Sequence, residues 1–164
     1  MVVESTEGEV QINIPDPPFD AFVAAHAERL RRALVAAYGV EVGSDACAEA
    51  LAWAWEHWDR VATMANPVGY LFRVGQSATR RHRRWRRRVE LPREDATSET
   101  GETHARLDAA LIALPPRQRT VALLVHGYGY SYAEVAEMTG TSLASVRTDL
   151  YRAMTRLRRK LEEQ

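Results

Sequence analysis

The sequence predicts an all-α protein: two small helical domains joined by a flexible linker. Three observations carry this. Apolar residues recur at helical spacing in successive stretches from Phe19 to Leu161, while the one alternating run, Val10 to Ile14, has no partner strand. Residues Val89 to Thr103 are acidic, rich in Ser and Thr and nearly free of large apolar side chains, which divides the chain. Beyond the divide, Ser131 to Arg158 reads as two helices joined by a tight turn.

In order, residues 1–18 are expected to be a flexible leader, polar and acidic and closed by Pro15-Asp16-Pro17-Pro18. A first helix is expected over Phe19–Tyr38, with Phe19, Phe22, Val23, His26, Leu30 and Leu34 at helical spacing. Gly39 and Gly43 then bracket a short loop, and Ser44 caps a long second helix reaching about Val61. Its buried stripe is expected to hold Cys47, Leu51, Ala54, Trp55 and Trp58, with Asp45, Glu49, Trp53, Glu56 and Arg60 facing away. An aromatic among acids has two readings: a neighbouring helix covers Trp53, or Trp53 anchors a protein partner.

Asn66-Pro67 marks a turn within the loop from Thr63 to Val68. A helix follows from Gly69 to about Trp85, with Tyr70, Leu71 and Val74 inward. It runs into Arg80 to Arg88, RRHRRWRRR, where every residue is basic or aromatic. Such a run is either a solvated face or, with Trp85 as a stacking platform, a binder of phosphates and unpaired bases; following a helix, it suits the second better. After the linker, a helix from His104 to Leu114 stops at Pro115-Pro116, and another runs from Arg117 to about Val125, before Gly127 and Gly129. With the last two helices these make a compact four-helix unit.

Those last two helices are the most informative. Ser131 and Glu134 have capping-box spacing, and Tyr130 and Val135 have that of a hydrophobic staple. Gly140 suits the left-handed end of the first helix, and Thr141 or Ser142 caps the second. The second helix is expected to bury Val146, Leu150, Met154, Leu157 and Leu161, with Ala153 beside them. Its other face shows Ser142, Ala144, Ser145, Arg147, Thr148, Tyr151 and Arg152. Short polar groups and arginines near a helix N-terminus are what read base edges and phosphates in a major groove.

Composition excludes other classes. Lys and Arg number 22, as do Asp and Glu, so the chain is no generic polycation and its charge is informative only where it segregates. One cysteine, Cys47, allows no internal disulfide and no thiolate zinc site, and His26, His57, His82, His104 and His126 have no ligand spacing. No metal and no cofactor are expected. There is no signal-peptide pattern and no apolar run of about 20 residues that would span a bilayer, so the cytoplasm is the expected location. No Gly-rich phosphate loop, paired carboxylates or activated nucleophile suggests an enzyme.

The order of an acidic-aromatic helix, an Arg-rich helix, an acidic linker and a helix-turn-helix resembles the extracytoplasmic-function group of bacterial sigma-70 family RNA polymerase sigma factors. The matching residues are Leu114-Pro115-Pro116-Arg117-Gln118-Arg119, Ser131 to Ala136, Val146-Arg147-Thr148 and Leu150 to Ala153. In the first half they are Asp45, Glu49, Ala54-Trp55, Trp58-Asp59-Arg60, Pro67 and Tyr70 to Val74. The resemblance implies a region 2-like domain over 19–88, binding core polymerase and the −10 element, a linker over 89–103, and a region 4-like domain over 104–164, placing its recognition helix at the −35 element. It implies polymerase contact through Asp45, Glu49, Trp53 and Glu56, and −10 contact through Val61, Asn66, Ser77, Arg80, Arg81, Arg84 and Trp85. An anti-sigma factor is the implied regulator. The chain departs from the family pattern at Ala48 (usually Gln), Ser77 (usually Asn) and Asp149 (usually basic). The alternative is a sigma-like or plain helix-turn-helix regulator that does not itself initiate. A linker of this composition allows the two domains to close when free and to separate on polymerase.

Overall fold

The structure, a computed structural model, describes residues 18–82 and 101–163, leaving aside the side chains of 81, 82 and 101–103. Most of the expected leader and linker, together with Arg84 and Trp85, lie outside the described residues. Every regular element described is helical. The first group is α1 (Phe19–Tyr38), α2 (Val40–Glu56), α3 (Trp58–Val61) and α4 (Pro67–His82). The second is α5 (Gly101–Ile112), α6 (Pro116–Ala122) running into a π-helical turn (Leu123–Gly127), then α7 (Tyr132–Thr139) and α8 (Leu143–Glu162).

Leu30 and Leu34 of α1, Ala46, Cys47, Ala50 and Ala54 of α2, Val61 of α3 and Leu71 of α4 fill the first group's interior. Val121, Leu124, Val135, Met138, Val146, Leu150, Ala153 and Leu157 fill the second's, and the two interiors join as one apolar cluster. Burial pushes the Cys47 thiol up to about 11, leaving it protonated and unreactive at neutral pH.

Several boundaries differ from expectation. The loop bracketed by Gly39 and Gly43 is a single residue: Gly39, at φ 88°, takes the turn alone. Its N–H closes α1 on Val35 O at 2.8 Å, and the Gly43 N–H bonds Gly39 O at 2.8 Å inside α2, so Ser44 caps nothing. Gly43 serves close approach instead, since a Cβ there would lie 2.5 Å from the Val35 backbone. The long second helix breaks at His57 (φ −123°), whose Nδ1 lies 2.8 Å from Trp53 O.

The stripe facing the core is accordingly Ala46, Cys47, Ala50 and Ala54, and Trp55, expected inside, is 64 % exposed. Trp53 is half-buried: His57 stacks on it at 4.2 Å, and Tyr70 of α4 lies 5.6 Å away. Trp53 is thus partly covered by a neighbouring helix and keeps part of its ring at the surface. On α8, Met154 is exposed and Ala153 is buried in its place.

The two groups close on one another. Arg119, buried in α6, donates from Nε to Ala36 O at 3.0 Å and from Nη2 to Ala37 O, both on the last turn of α1. Its Nη1 serves Ile112 O at 3.0 Å within its own group. Arg32 donates to the Tyr130 hydroxyl at 2.9 Å and lies over the Tyr128 ring. At the other end of the seam, Asn66 Nδ2 donates to Glu137 O at 2.8 Å and Arg73 Nη2 to Gly140 O at 2.6 Å.

Gly43→Ala, which forces a methyl into the α1 backbone, is expected to cost about 1–3 kcal/mol by urea unfolding, the usual range for overpacking. An unchanged midpoint would contradict so close an approach of α1 and α2.

Candidate nucleic-acid interface

The helix-turn-helix is assembled by local chemistry. The Ser131 hydroxyl accepts from the Glu134 N–H at 3.2 Å, and the Glu134 carboxylate accepts from the Ser131 N–H at 2.8 Å. Those bonds hold the Glu134 carboxyl below its ordinary range, so the box contributes stability at neutral pH that is lost as acid protonates it. Gly140 at φ 63° ends α7, with its N–H on Ala136 O and Glu137 O. Ser142 accepts from the Ser145 N–H at 3.1 Å and so caps α8.

Of the residues expected to read DNA from α8, Ser142, Ala144, Arg147, Thr148, Tyr151 and Arg152 are exposed and Ser145 is half-buried. Tyr151 stands 74 % exposed. At about 100° per residue, Ala144, Thr148, Tyr151 and Thr155 form a central track. Arg147 and Arg158 line one edge, and Arg152, Arg156 and Arg159 the other. The threonines spend their hydroxyl protons on the helix: Thr148 on Ala144 O at 3.0 Å and Thr155 on Tyr151 O at 2.9 Å. Outward they offer lone pairs and methyl groups, suited to base amino groups and the thymine methyl. Ser142 and Ser145 hydroxyls bond each other at 2.9 Å, so Ser142 is a helix cap before it is a base contact. Sequence reasoning missed Thr155, Arg156, Arg158 and Arg159, although continuing the same wheel by two turns finds them.

Asp149, unusual for a recognition helix, faces inward. It is buried and accepts from Arg117 Nε at 2.5 Å, tying α8 to α6. Its charge is spent inside the protein and not on the groove face.

Of the residues expected at the −10 element, Val61 lies on α3, Asn66 caps α4, and Ser77, Arg80 and Arg81 share α4. Val61 is fully buried in the core, on the turn of α3. Asn66 caps α4, its Oδ1 accepting from the Gly69 N–H at 2.9 Å with Pro67 as first helical residue. Ser77 is exposed and donates to Arg73 O at 3.1 Å. Arg80 is exposed on α4, Arg81 lies on the same helix, and Arg84 and Trp85 are outside the described residues.

On α2, Asp45 and Glu56 are exposed and Glu49 is half-buried. With Trp53 partly covered, the exposed aromatic of this face is Trp55, at the end of a small-residue track through Ala48 and Ala52. The alanines at 46, 50 and 54, spaced as a close-packed stripe, are the sequence signal that places Trp55 outside.

Residues 104–157 match the family model for sigma-70, region 4. The RNA polymerase sigma-E factor of Streptomyces avermitilis is 34 % identical over 122 residues, covering 69 % of this chain and 67 % of the relative. The chain belongs to the extracytoplasmic-function group of the sigma-70 family. The sigma-E factor of Streptomyces antibioticus is 32 % identical over 121 residues, with 69 % and 67 % covered. Among solved structures, the sigma factor RpoE in complex with the anti-sigma factor NepR from Bartonella quintana has the same fold. Its TM-score is 0.60 at 19 % identity, over 88 % of this chain and 96 % of that one. CnrH in complex with the cytosolic domain of CnrY follows, with TM-score 0.56 at 24 % identity, over 89 % and 88 %. The chain is an alternative sigma factor of this family.

Among the described residues, no helix of this sigma factor is long and apolar enough to cross a membrane. Ser142→Ala, which removes the α8 cap, is expected to lower stability by about 1 kcal/mol. Thermal unfolding checks it, and no shift would show that the cap carries no weight.

Proposed function

We propose that this chain recruits core RNA polymerase to promoters and starts transcription there, catalysing no step itself and working in the cytoplasm. The observation that carries the reading is the outer face of α8: a track of small polar groups and Tyr151, edged on both sides by arginines. Edge arginines of a helix lying in a major groove meet the phosphates of both strands, while the middle of the helix meets the bases. In this reading residues 104–164 read the −35 element through Ala144, Ser145, Thr148 and Tyr151. Arg147 and Arg152 set the position of the helix, and Ser142 holds its start.

Residues 19–88 bind core polymerase and the −10 strand. Asp45, Glu49 and Glu56 form an acidic rim around Ala48, Ala52 and the exposed ring of Trp55, while Trp53 stiffens the helix from behind. Asn66, Ser77, Arg80 and Arg81 on or before α4, continued by Arg84 and Trp85, contact the melted strand, with Val61 supporting them from the core. An anti-sigma protein, of the kind bound in the RpoE complex, is the expected regulator.

Run-off transcription with core enzyme on genomic fragments tests the proposal, and discrete products absent without the chain are expected. Arg147→Ala and Arg152→Ala should each cost about 1–3 kcal/mol of promoter binding if they bond bases. If they meet phosphates alone, they should weaken all sequences evenly and reduce the salt slope by about one. A chain that leaves core polymerase inactive on every template contradicts the proposal.

A further inference from the structure

A cavity of about 240 Å³ is walled by α1, α4, α6, α7 and α8, with Thr141 closing one side. We propose that it binds a small aromatic acid, a single or fused ring carrying one carboxylate. The site is independent of the promoter reading. Of α8 it uses Asp149 alone, on the inner side of that helix and away from the groove face.

The lining is divided by chemistry. Its buried part is Phe72, Val121, Thr120 and Thr139, beside the half-buried ring of Tyr38. The two threonines give their hydroxyl hydrogens to Pro116 O and Val135 O, each at 2.7 Å. This end therefore offers rings and methyl groups, and its threonines have no hydrogen left for an anion. The exposed part holds Arg73 and Arg117. Each has one nitrogen engaged, Arg73 Nη2 on Gly140 O and Arg117 Nε on Asp149. Among the described residues, their other guanidinium nitrogens have no acceptor.

That division selects the ligand. Two arginines against the single carboxylate of Asp149 leave the lining one positive charge in excess. A guanidinium with free N–H groups takes a carboxylate through charge-assisted hydrogen bonds. A cation would be repelled there, and a neutral molecule would leave the charge unmatched. The apolar end takes the ring, between Tyr38, Phe72 and Val121.

Size narrows the class further. An apolar cavity of about 150 Å³ accepts a benzene ring, and sites for drug-sized ligands begin near about 300 Å³. The volume here lies between, enough for a fused pair of rings or one ring with a short acidic arm. Clefts between packed groups of elements are where small ligands are commonly held.

The full chain, isotope-labelled, is titrated with naphthoate, with its uncharged counterpart naphthalenemethanol, and with acetate, and amide resonances are followed. Naphthoate is expected to bind with a dissociation constant on the order of 1 mM, in line with its few non-hydrogen atoms. The alcohol lacks the charge and acetate lacks the ring, so each should bind at least about tenfold more weakly. Resonances of Phe72, Thr120 and Thr139 should move, while those of Thr148, Tyr151 and Arg152 on the groove face stay.

Arg73→Gln, at an exposed position, should weaken naphthoate by about tenfold and leave the alcohol unchanged. Gln76→Trp places a large ring in the space and should abolish binding of both, its fold checked by the unliganded spectrum. Naphthoate and the alcohol binding alike overturns the inference. So do shifts confined to the arginines of α8, the mark of an anion on an open basic surface. Silence from all three compounds at about ten times the expected dissociation constant overturns it too. None of these results touches the sigma reading.

Discussion

The arrangement of the whole molecule depends on one buried guanidinium. Helix α1 ends at Tyr38 without a basic residue in its last turn, leaving carbonyls and the negative end of the helix dipole without a cation of their own. Arg119 supplies that cation from the second group of helices, donating to Ala36 O and Ala37 O while bonding Ile112 O and Leu114 O on its own side. Burial pushes its pKa below the ordinary arginine value, and a guanidinium still remains charged. A charge placed there without acceptors would be prohibitive. With four carbonyls around it, the site fixes how α6 lies on α1 and so where the turn after α7 falls relative to α4.

From that placement follow both faces of the protein. The docked turn brings Gly140 against Gly69 and leaves α8 facing outward, its groove surface clear of the seam. The internal Arg117–Asp149 pair serves the same end, anchoring α8 by its inner side and removing a carboxylate from the face presented to phosphates. Asp149 is therefore compatible with a DNA-reading helix, although by residue type alone it is out of place there.

What could be read from the sequence is what depends on near neighbours. The capping box of Ser131 and Glu134, the left-handed Gly140, the Ser142 cap and the exposed α8 face are all set within a few residues, and all appear as expected. What could not be read depends on distant partners. Trp53 is half-buried through contacts with His57 and with Tyr70 of α4, a partner from a different helix. Asn66-Pro67 is legible as a turn, but its bond to Glu137, 71 residues away, is not. Gly43 looks like a loop residue until the α1 backbone is seen beside it.

The central claim is that two helical groups, joined face to face in the free chain, hold different partners at once when working. Photo-crosslinking within a single polymerase–promoter complex tests it most directly, with a photoreactive phenylalanine analogue at position 55 in one preparation and at position 151 in another. The account predicts that position 55 joins to a polymerase subunit and position 151 to duplex DNA near −35. Position 151 joining to polymerase alone, or position 55 joining to nothing beyond its own chain, would contradict it.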